Sequence, residues 1–332
     1  VDLTVNTDFA QVEADDEQVN LTRFSLFFPE KRPFFLEGAS QYDFGVPRTS
    51  FRRPPPALLF YSRRIGLFEG KAVPILAGAK ITGKLGPYSV GLLSALTNEL
   101  TVLPDEDDEE GEPLRVPRRN YTVLRVKRDV LQQSSVGVIA VNQDDAESHN
   151  RAGGVDFVYR PSNNASVRGM WARTSDAEDG DGDAAYVGGS WRNELFQLRT
   201  SSMRIGDNFS PAAGFVQRSG IQRYGVEARY MPWPRRFGIR EVYTGPGASF
   251  VYDLDGELLT REFSYFAFLR PKVGGSLRAG VDNTYEYLEK DFEIRDGIVI
   301  PAGEYTSNGF SGGIGTEDGR AVGIEVRGNL TE

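Results

Sequence analysis

The sequence predicts an all-β protein: an antiparallel up-and-down transmembrane β-barrel with about fourteen or more strands. The strands occupy residues 71–332, and residues 1–70 form an N-terminal strand plus a plug or cap. Three observations carry the prediction. Apolar and polar residues alternate with a period of two through most of the chain, which sorts them onto opposite faces of a sheet. Short and long connections alternate, as they do between the two ends of an outer-membrane barrel. The strand-like runs reach roughly 9–13 residues, near the length that crosses a bilayer, and aromatic residues gather at their ends.

Residues 2–9, DLTVNTDF, read as one strand. The stretch that follows is dense in Phe, charge and Gly and keeps no period of two. Residues 16–28 are expected to form a short helix, after which Pro29 and Pro33 interrupt regular structure. Glu30, Lys31, Arg32 and Glu37 sit among Phe27, Phe28, Phe34 and Phe35. Aromatic residues around clustered charge suit a segment packed against protein with its ions paired, because irregular backbone cannot face hydrocarbon. Two placements fit: a plug inside the barrel, or a cap at its periplasmic mouth. Residues 48–66, RTSFRRPPPALLFYSRRIG, extend the segment with Arg48, Arg52, Arg53, Arg63 and Arg64. Glu30, Lys31, Arg32, Glu37, Arg52, Arg53, Arg63 and Arg64 are the candidate interior residues. They could form an anion or substrate site, but pairing with carboxylates of the barrel interior is the simpler expectation.

From residue 71 the runs can be sorted face by face. Leu124, Val126 and Val130 oppose Arg125, Lys127 and Asp129; Val155, Phe157 and Tyr159 oppose Asp156, Val158 and Arg160. Tyr224, Val226, Ala228 and Tyr230 oppose Arg223, Glu227 and Arg229. Leu277, Ala279, Val281, Tyr285 and Tyr287 oppose Arg278, Asp282, Thr284 and Glu286. Short turns are expected at 83–87, 132–135, 161–166, 192–194, 232–236, 270–274 and 317–320. The opposite set of connections falls at 98–118, 144–152, 175–183, 206–220, 253–256 and 289–304. A β-sandwich would alternate too, but the polar faces here carry both signs of charge, as a lumen lined by cross-strand ion pairs requires. The last strand, near 320–330, lacks the terminal aromatic residue of a finished barrel, so the closing strands are expected outside this sequence.

The formal net charge is −9, from 47 acids and 38 bases. Two segments account for it. Residues 104–112, PDEDDEEGE, hold seven carboxylates, and residues 176–183, DAEDGDGD, hold five. Setting those twelve aside leaves 35 acids against 38 bases. Both segments read as solvated loop tips. Spaced carboxylates also suit calcium, which makes Asp179, Asp181 and Asp183 a weak metal candidate. The EF-hand pattern fails, because Ala184 and Ser190 stand where it needs Gly and Glu.

Composition excludes several chemistries. With no cysteine and one histidine, zinc clusters, disulfides and thiol nucleophiles are out of reach. The acidic balance argues against nucleic acid as a partner. No apolar run reaches the ~18 residues of a membrane-spanning helix, and no signal peptide is recognisable. His149 lies in the polar stretch DDAESHNRAG beside Ser148, where a solvated loop histidine is the ordinary outcome. Carboxylates for glycoside hydrolysis cannot be chosen from sequence spacing among so many. GSLRAG and GGIGTEDG are ordinary strand and turn glycines. No catalytic motif is found.

Several stretches resemble a family of bacterial envelope proteins: NTDFAQVEADDEQVNLTRFSLFFPEKRPFFLEG, FYSRRIG, VPILAGAKITGKLGPYSVGLL, VLRVKRDV and GDNFSPAAGFVQR. That family usually joins an N-terminal module similar to family 9 carbohydrate-binding modules to a C-terminal outer-membrane β-barrel of unknown function. The resemblance runs through essentially the whole chain. It implies that this chain is the barrel portion, in the bacterial outer membrane, with a glycan-binding module upstream. Some members are described as membrane-associated hydrolases, but no catalytic residues carry over.

The resulting expectation is a barrel for transport, or a membrane anchor linked to carbohydrate binding or uptake. It would meet outer-membrane lipid and lipopolysaccharide, reach glycans through a module outside this chain, and need no cofactor apart from the weak calcium candidate. The alternatives are a membrane-associated hydrolase acting on glycan or lipid, and a soluble β-rich binding protein.

Overall fold

A computed structural model of the chain describes residues 2–5, 23–46, 55–68, 70–102, 113–234, 238–295, 297–316 and 325–331. Fifteen strands make one antiparallel sheet: β1 (Asp2–Val5), β2 (Ile75–Leu85), β3 (Tyr88–Thr97), β4 (Asn120–Val130), β5 (Ser134–Asp144), β6 (His149–Ser162), β7 (Ala165–Asp176), β8 (Gly180–Arg192), β9 (Phe196–Ile205), β10 (Ile221–Tyr230), β11 (Ile239–Asp253), β12 (Leu258–Pro271), β13 (Ser276–Leu288), β14 (Gly303–Gly315) and β15 (Glu325–Thr331). Each strand neighbours the next in sequence, which is a meander. Fourteen of the fifteen follow residue 71, as expected. β1 and β15 stand at the two ends of the order, so among the described residues the sheet is not closed.

The strands from β2 to β14 run to 10–15 residues, twice the usual strand of a globular sheet. Turn chemistry fixes their ends. Gly86 takes a positive φ of 57° in the turn from β2 to β3, a conformation glycine adopts without steric cost. Between β8 and β9 the Asn193 side-chain oxygen accepts from the backbone N–H groups of Leu195 (2.9 Å) and Phe196 (2.6 Å), an Asx turn. Two of the longer connections carry ribbons of their own. Leu100–Val102 pairs with Leu114–Val116, and Phe292–Arg295 with Ile298–Ile300.

The chain divides into two compact units. The first comprises Val1–Tyr159, Arg168–Tyr186 and Ile205–Gly220. One face of its strands is covered by residues 23–46 and 55–68, and the buried core lies between them: Phe35, Tyr42, Leu59, Ile65, Leu93, Val123, Ile139 and Val141. Glycine in the sheet lets the covering segment approach. At Gly91 a side chain's first carbon would stand 3.0 Å from the Tyr42 ring.

The covering segment corrects one expectation. Residues 16–22 lie outside those described, and residues 23–28 are not helical. Pro29 disfavours the α conformation before it, while Phe27 is engaged with Tyr61 and Phe215, at centroid distances of 4.9 and 5.2 Å. Pro33 starts a helical turn instead, α1 (Pro33–Leu36), because its fixed φ suits a first helical position. The expected strand at 2–9 is seen at Asp2–Val5, and residues 6–9 lie outside the described set.

The second unit comprises Arg160–Val167, Val187–Arg204 and Ile221–Glu332. Its polar face holds charges of both signs, paired across strands and along one strand. Arg199 is 3.5 Å from Glu227, Arg229 also pairs with Glu227, and Arg270 is 3.1 Å from Glu241. The registers of β10 to β15 place Val226, Ala248, Phe263, Val281 and Phe310 on the other face. In the first unit the apolar face is the open one; in the second the apolar face is open as well, although Ser264, Arg278 and Asp282 of its polar face are also exposed. Tyr159, Val226 and Val281 are 47%, 44% and 48% exposed, with Val155, Phe157, Trp171, Val187, Tyr265 and Phe310 among many like them.

Candidate functional site

The first unit concentrates its buried charge where the N-terminal segment meets the sheet. Within the segment, Glu30 organises the chain. Its Oε1 accepts from the backbone N–H groups of Lys31 (3.0 Å) and Arg32 (3.0 Å) and from Arg32 Nε (2.9 Å). Its Oε2 accepts from Arg32 Nη2 (2.8 Å) and Ser62 Oγ (2.7 Å). Burial works against ionisation of Glu30, but the Arg32 guanidinium and the other donors outweigh it and hold the carboxyl below its ordinary range.

Arg32 is buried and stacks over Phe35 at 4.3 Å. It donates to the carbonyls of Ile65 (2.6 Å) and Ser62 (2.8 Å), so one side chain ties residues 30–36 to residues 62–65. Arg63 donates to Pro29 O at 3.2 Å, and Arg64 to Gly214 O at 3.3 Å. The Tyr61 hydroxyl donates to the Phe28 carbonyl and accepts from the Phe28 N–H at 3.2 Å. Its desolvation by burial raises the phenol above its ordinary pKa. Lys31 and Glu37 have exposed side chains. Arg48, Arg52 and Arg53 lie outside the described residues.

Strand residues grip this segment from below. Lys80 on β2 is 1% exposed; its ammonium donates to the carbonyls of Phe34 and Glu37, both at 2.7 Å, and stands 3.2 Å from the Asp2 carboxylate. Arg125 on β4 binds Asp156 on β6 through both guanidinium ends, at 2.7 and 2.8 Å. Its Nε donates to Asp43 O (3.1 Å), and Asp156 Oδ2 accepts from the Gly45 N–H (3.1 Å). The connection at 206–216 joins the same face. Asn150 donates to Asp176 and to Ser210 O (both 2.7 Å) and accepts from the Ala212 N–H (3.0 Å). Phe215–Val216 pairs with Ala57–Leu58.

The arrangement does mechanical work. Arg32, Arg63 and Arg64 direct donors to Glu30 and to main-chain carbonyls, which fixes an irregular segment on a sheet and satisfies buried carbonyls that would otherwise be costly. Tyr42 Oη and Arg63 Nε are nevertheless buried without a hydrogen-bond partner among the described residues. Glu30 and Arg32 were legible as candidates. Lys80, Arg125, Asp156 and Asn150 were not singled out, although Arg125 and Asp156 fall on the polar faces that alternation defines. An isolated charge between small residues of an otherwise apolar alternation was the available signal.

The remaining candidates separate. Ser148 Oγ donates to Asp145 Oδ2 at 2.9 Å, and Asp145 also accepts from the N–H groups of Glu147 and Ser148. Burial opposes ionisation of Asp145, and these bonds, with Arg119 3.7 Å away, hold its carboxyl below the usual range. His149 opens β6 with an exposed side chain. Asp181 forms an exposed ion pair with Arg173 at 2.7 Å, and the Asp179 N–H donates to Asp176. Among the described residues no group of three or more His, Cys, Asp or Glu side chains gathers where a metal could sit. The acidic stretch 104–112 lies outside the described residues.

A comparison with curated proteins finds no match. Residues 1–194 match the family model described as a domain of unknown function, DUF5916, and the chain belongs to that family.

Proposed function

We propose that the chain is the strand-bearing part of a bacterial outer-membrane β-barrel whose N-terminal segment is a built-in plug. It would act in transport, or as the membrane anchor of a glycan-binding module, without covalent chemistry. One observation carries the reading: in the first unit the sheet is covered on the wrong face for a protein in water. The face bearing Lys80, Arg125 and Asp156 is packed under the N-terminal segment. The face bearing Val155, Phe157, Tyr159, Trp171, Val226 and Val281 is left open. Exposed apolar surface on this scale marks an interaction surface, and over strands of 10–15 residues hydrocarbon is the natural partner. Closure would need the free edges of β1 and β15 to be paired, with strands expected outside this sequence supplying the missing partners, since an open edge is not tolerated in lipid. Selectivity would reside in the charges of the polar face.

The test is extraction. Membranes of a Gram-negative host producing the protein, washed with alkaline carbonate and then urea, should retain it until detergent is added. Release into either wash as folded protein would overturn the proposal.

A further inference from the structure

On the apolar face of the second unit the side chains fall into rows across the strands. One row is Val226, Ala248, Phe263, Asn283 and Asn308; the next is Pro246, Tyr265, Val281, Phe310 and Leu330. Where Pro246 and Ala248 stand, the surface is low. Val226 rises on one side and Phe263 and Tyr265 on the other, leaving an apolar recess of about 500 Å³. The adjoining row toward the 254–257 and 289–302 connections reads Tyr224, Phe250, Arg261, Tyr285. Three aromatic residues in line form an interfacial band, and Arg261 is its one cation.

Arg261 is held but not neutralised. Its Nη2 donates to Asn283 Oδ1 at 3.3 Å, and its guanidinium lies 5.3 Å from the Phe263 ring and 5.6 Å from the Tyr285 ring. Among the described residues its contacts include no carboxylate, and Nε has no acceptor. A cation fixed at the edge of an apolar recess presents an anion site directly beside a hydrocarbon site.

We infer that this recess is a specific lipid site: an acyl chain lies over Ala248, and a phosphate of the same molecule meets Arg261. The inference rests on the lipid-facing reading of this face. In that reading the Arg261 row stands at the end with the longer connections, the outer leaflet, so the occupant is the phosphorylated, acylated anchor of lipopolysaccharide and not a phospholipid.

The full chain in detergent would be titrated with purified diphosphoryl lipid A and followed by native mass spectrometry. One tightly retained molecule is expected. Arg261→Gln should weaken its retention about tenfold, and Ala248→Phe, which fills the recess, by at least as much. Arg261→Gln changes one partly exposed side chain and should fold, so it decides the matter if Ala248→Phe does not. Equal retention of phosphatidylglycerol would overturn the assignment to lipopolysaccharide. Retention unchanged in Arg261→Gln, or recess occupancy by a second copy of the chain seen as a dimer, would overturn the site. A protein that stays folded in buffer without detergent would instead overturn the membrane reading itself, a different result.

Discussion

Arg125 reaches Asp156 over the top of a third strand. The two residues sit on β4 and β6, and between them on β5 lies Gly137, the direct register partner of both Lys127 and Asp156. A first side-chain carbon at Gly137 would stand 2.5 Å from Arg125 Nη1 and 2.7 Å from Asp156 Oδ1. The bidentate pair therefore exists because position 137 has no side chain, and the pair in turn holds the Asp43 carbonyl and the Gly45 N–H. Gly137→Ala should break this arrangement although it adds a single methyl group. Removing one member of a buried pair typically costs about 3–5 kcal/mol, so Arg125→Met sets the upper bound, and Gly137→Ala should fall near the ~1–3 kcal/mol of an overpacked site. Urea unfolding of the folded protein in detergent would measure both. Gly137→Ala indistinguishable from wild type would mean that the pair relaxes freely.

Lys80 makes a second, independent clamp. Its ammonium is the donor for two carbonyls that flank α1, those of Phe34 and Glu37. Lys80→Met keeps an unbranched stem of similar bulk but removes the ammonium and leaves both acceptors dry, at roughly 1–3 kcal/mol for each unsatisfied group. The loss is local, so the expected readout is faster protease cleavage within residues 33–40 with little change in the strand signal of circular dichroism. Unchanged cleavage would show that Arg32 and Glu30 hold the turn by themselves.

Much of this was legible in the sequence, and the boundary between what was and was not is physical. Period two assigned Arg125, Asp156, Tyr159, Val226 and Val281 to the faces they occupy, because alternation is a property of the strand alone. The charged and aromatic run at 27–37 read as a segment packed against protein for the same kind of reason: its composition suits neither lipid nor water. What could not be read was which strand residue meets which residue of that segment. Arg125 and Asp43 are 82 positions apart, and their contact depends on the register of several strands and on the bare backbone at Gly137. Over residues 23–28 the expected helix is absent, since local propensity ignored the stacking of Phe27 on Tyr61; the rest of that expected helix lies outside the described residues. Pro33, read as a breaker, begins the only α-helical turn among the described residues.

Acid should loosen the N-terminal segment through Glu30. A carboxyl held below its ordinary pKa in the folded state stabilises that state at every pH above the unfolded value, about 4.3 for a glutamate. The contribution disappears as pH falls from there through the lower folded value. Cleavage of residues 23–46 by an acid-active protease should therefore rise as pH drops below about 4. Glu30→Gln cannot lose a charge it does not have. It should show faster cleavage already at neutral pH and a flatter profile through the acid range. A wild-type profile as flat as that of the variant would remove Glu30 from the clamp.

Deletion of residues 23–46 separates a plug from a cap. The segment bonds to the polar face through Lys80, Arg125 and Asp156, each near the middle of a strand and not at a strand end. A cap would need only the turns at one end. If the strands close as proposed, removing a segment anchored at mid-strand widens the interior along its length. Single-channel conductance in planar bilayers should then rise severalfold over the intact chain. Since the deletion also strands Lys80 and Arg125 without their carbonyl partners, the same deletion carrying Lys80→Met and Arg125→Met with Asp156→Asn provides a folded comparison. Conductance equal to that of the intact protein in both versions, with strand content preserved, would mean that the segment does not obstruct the path.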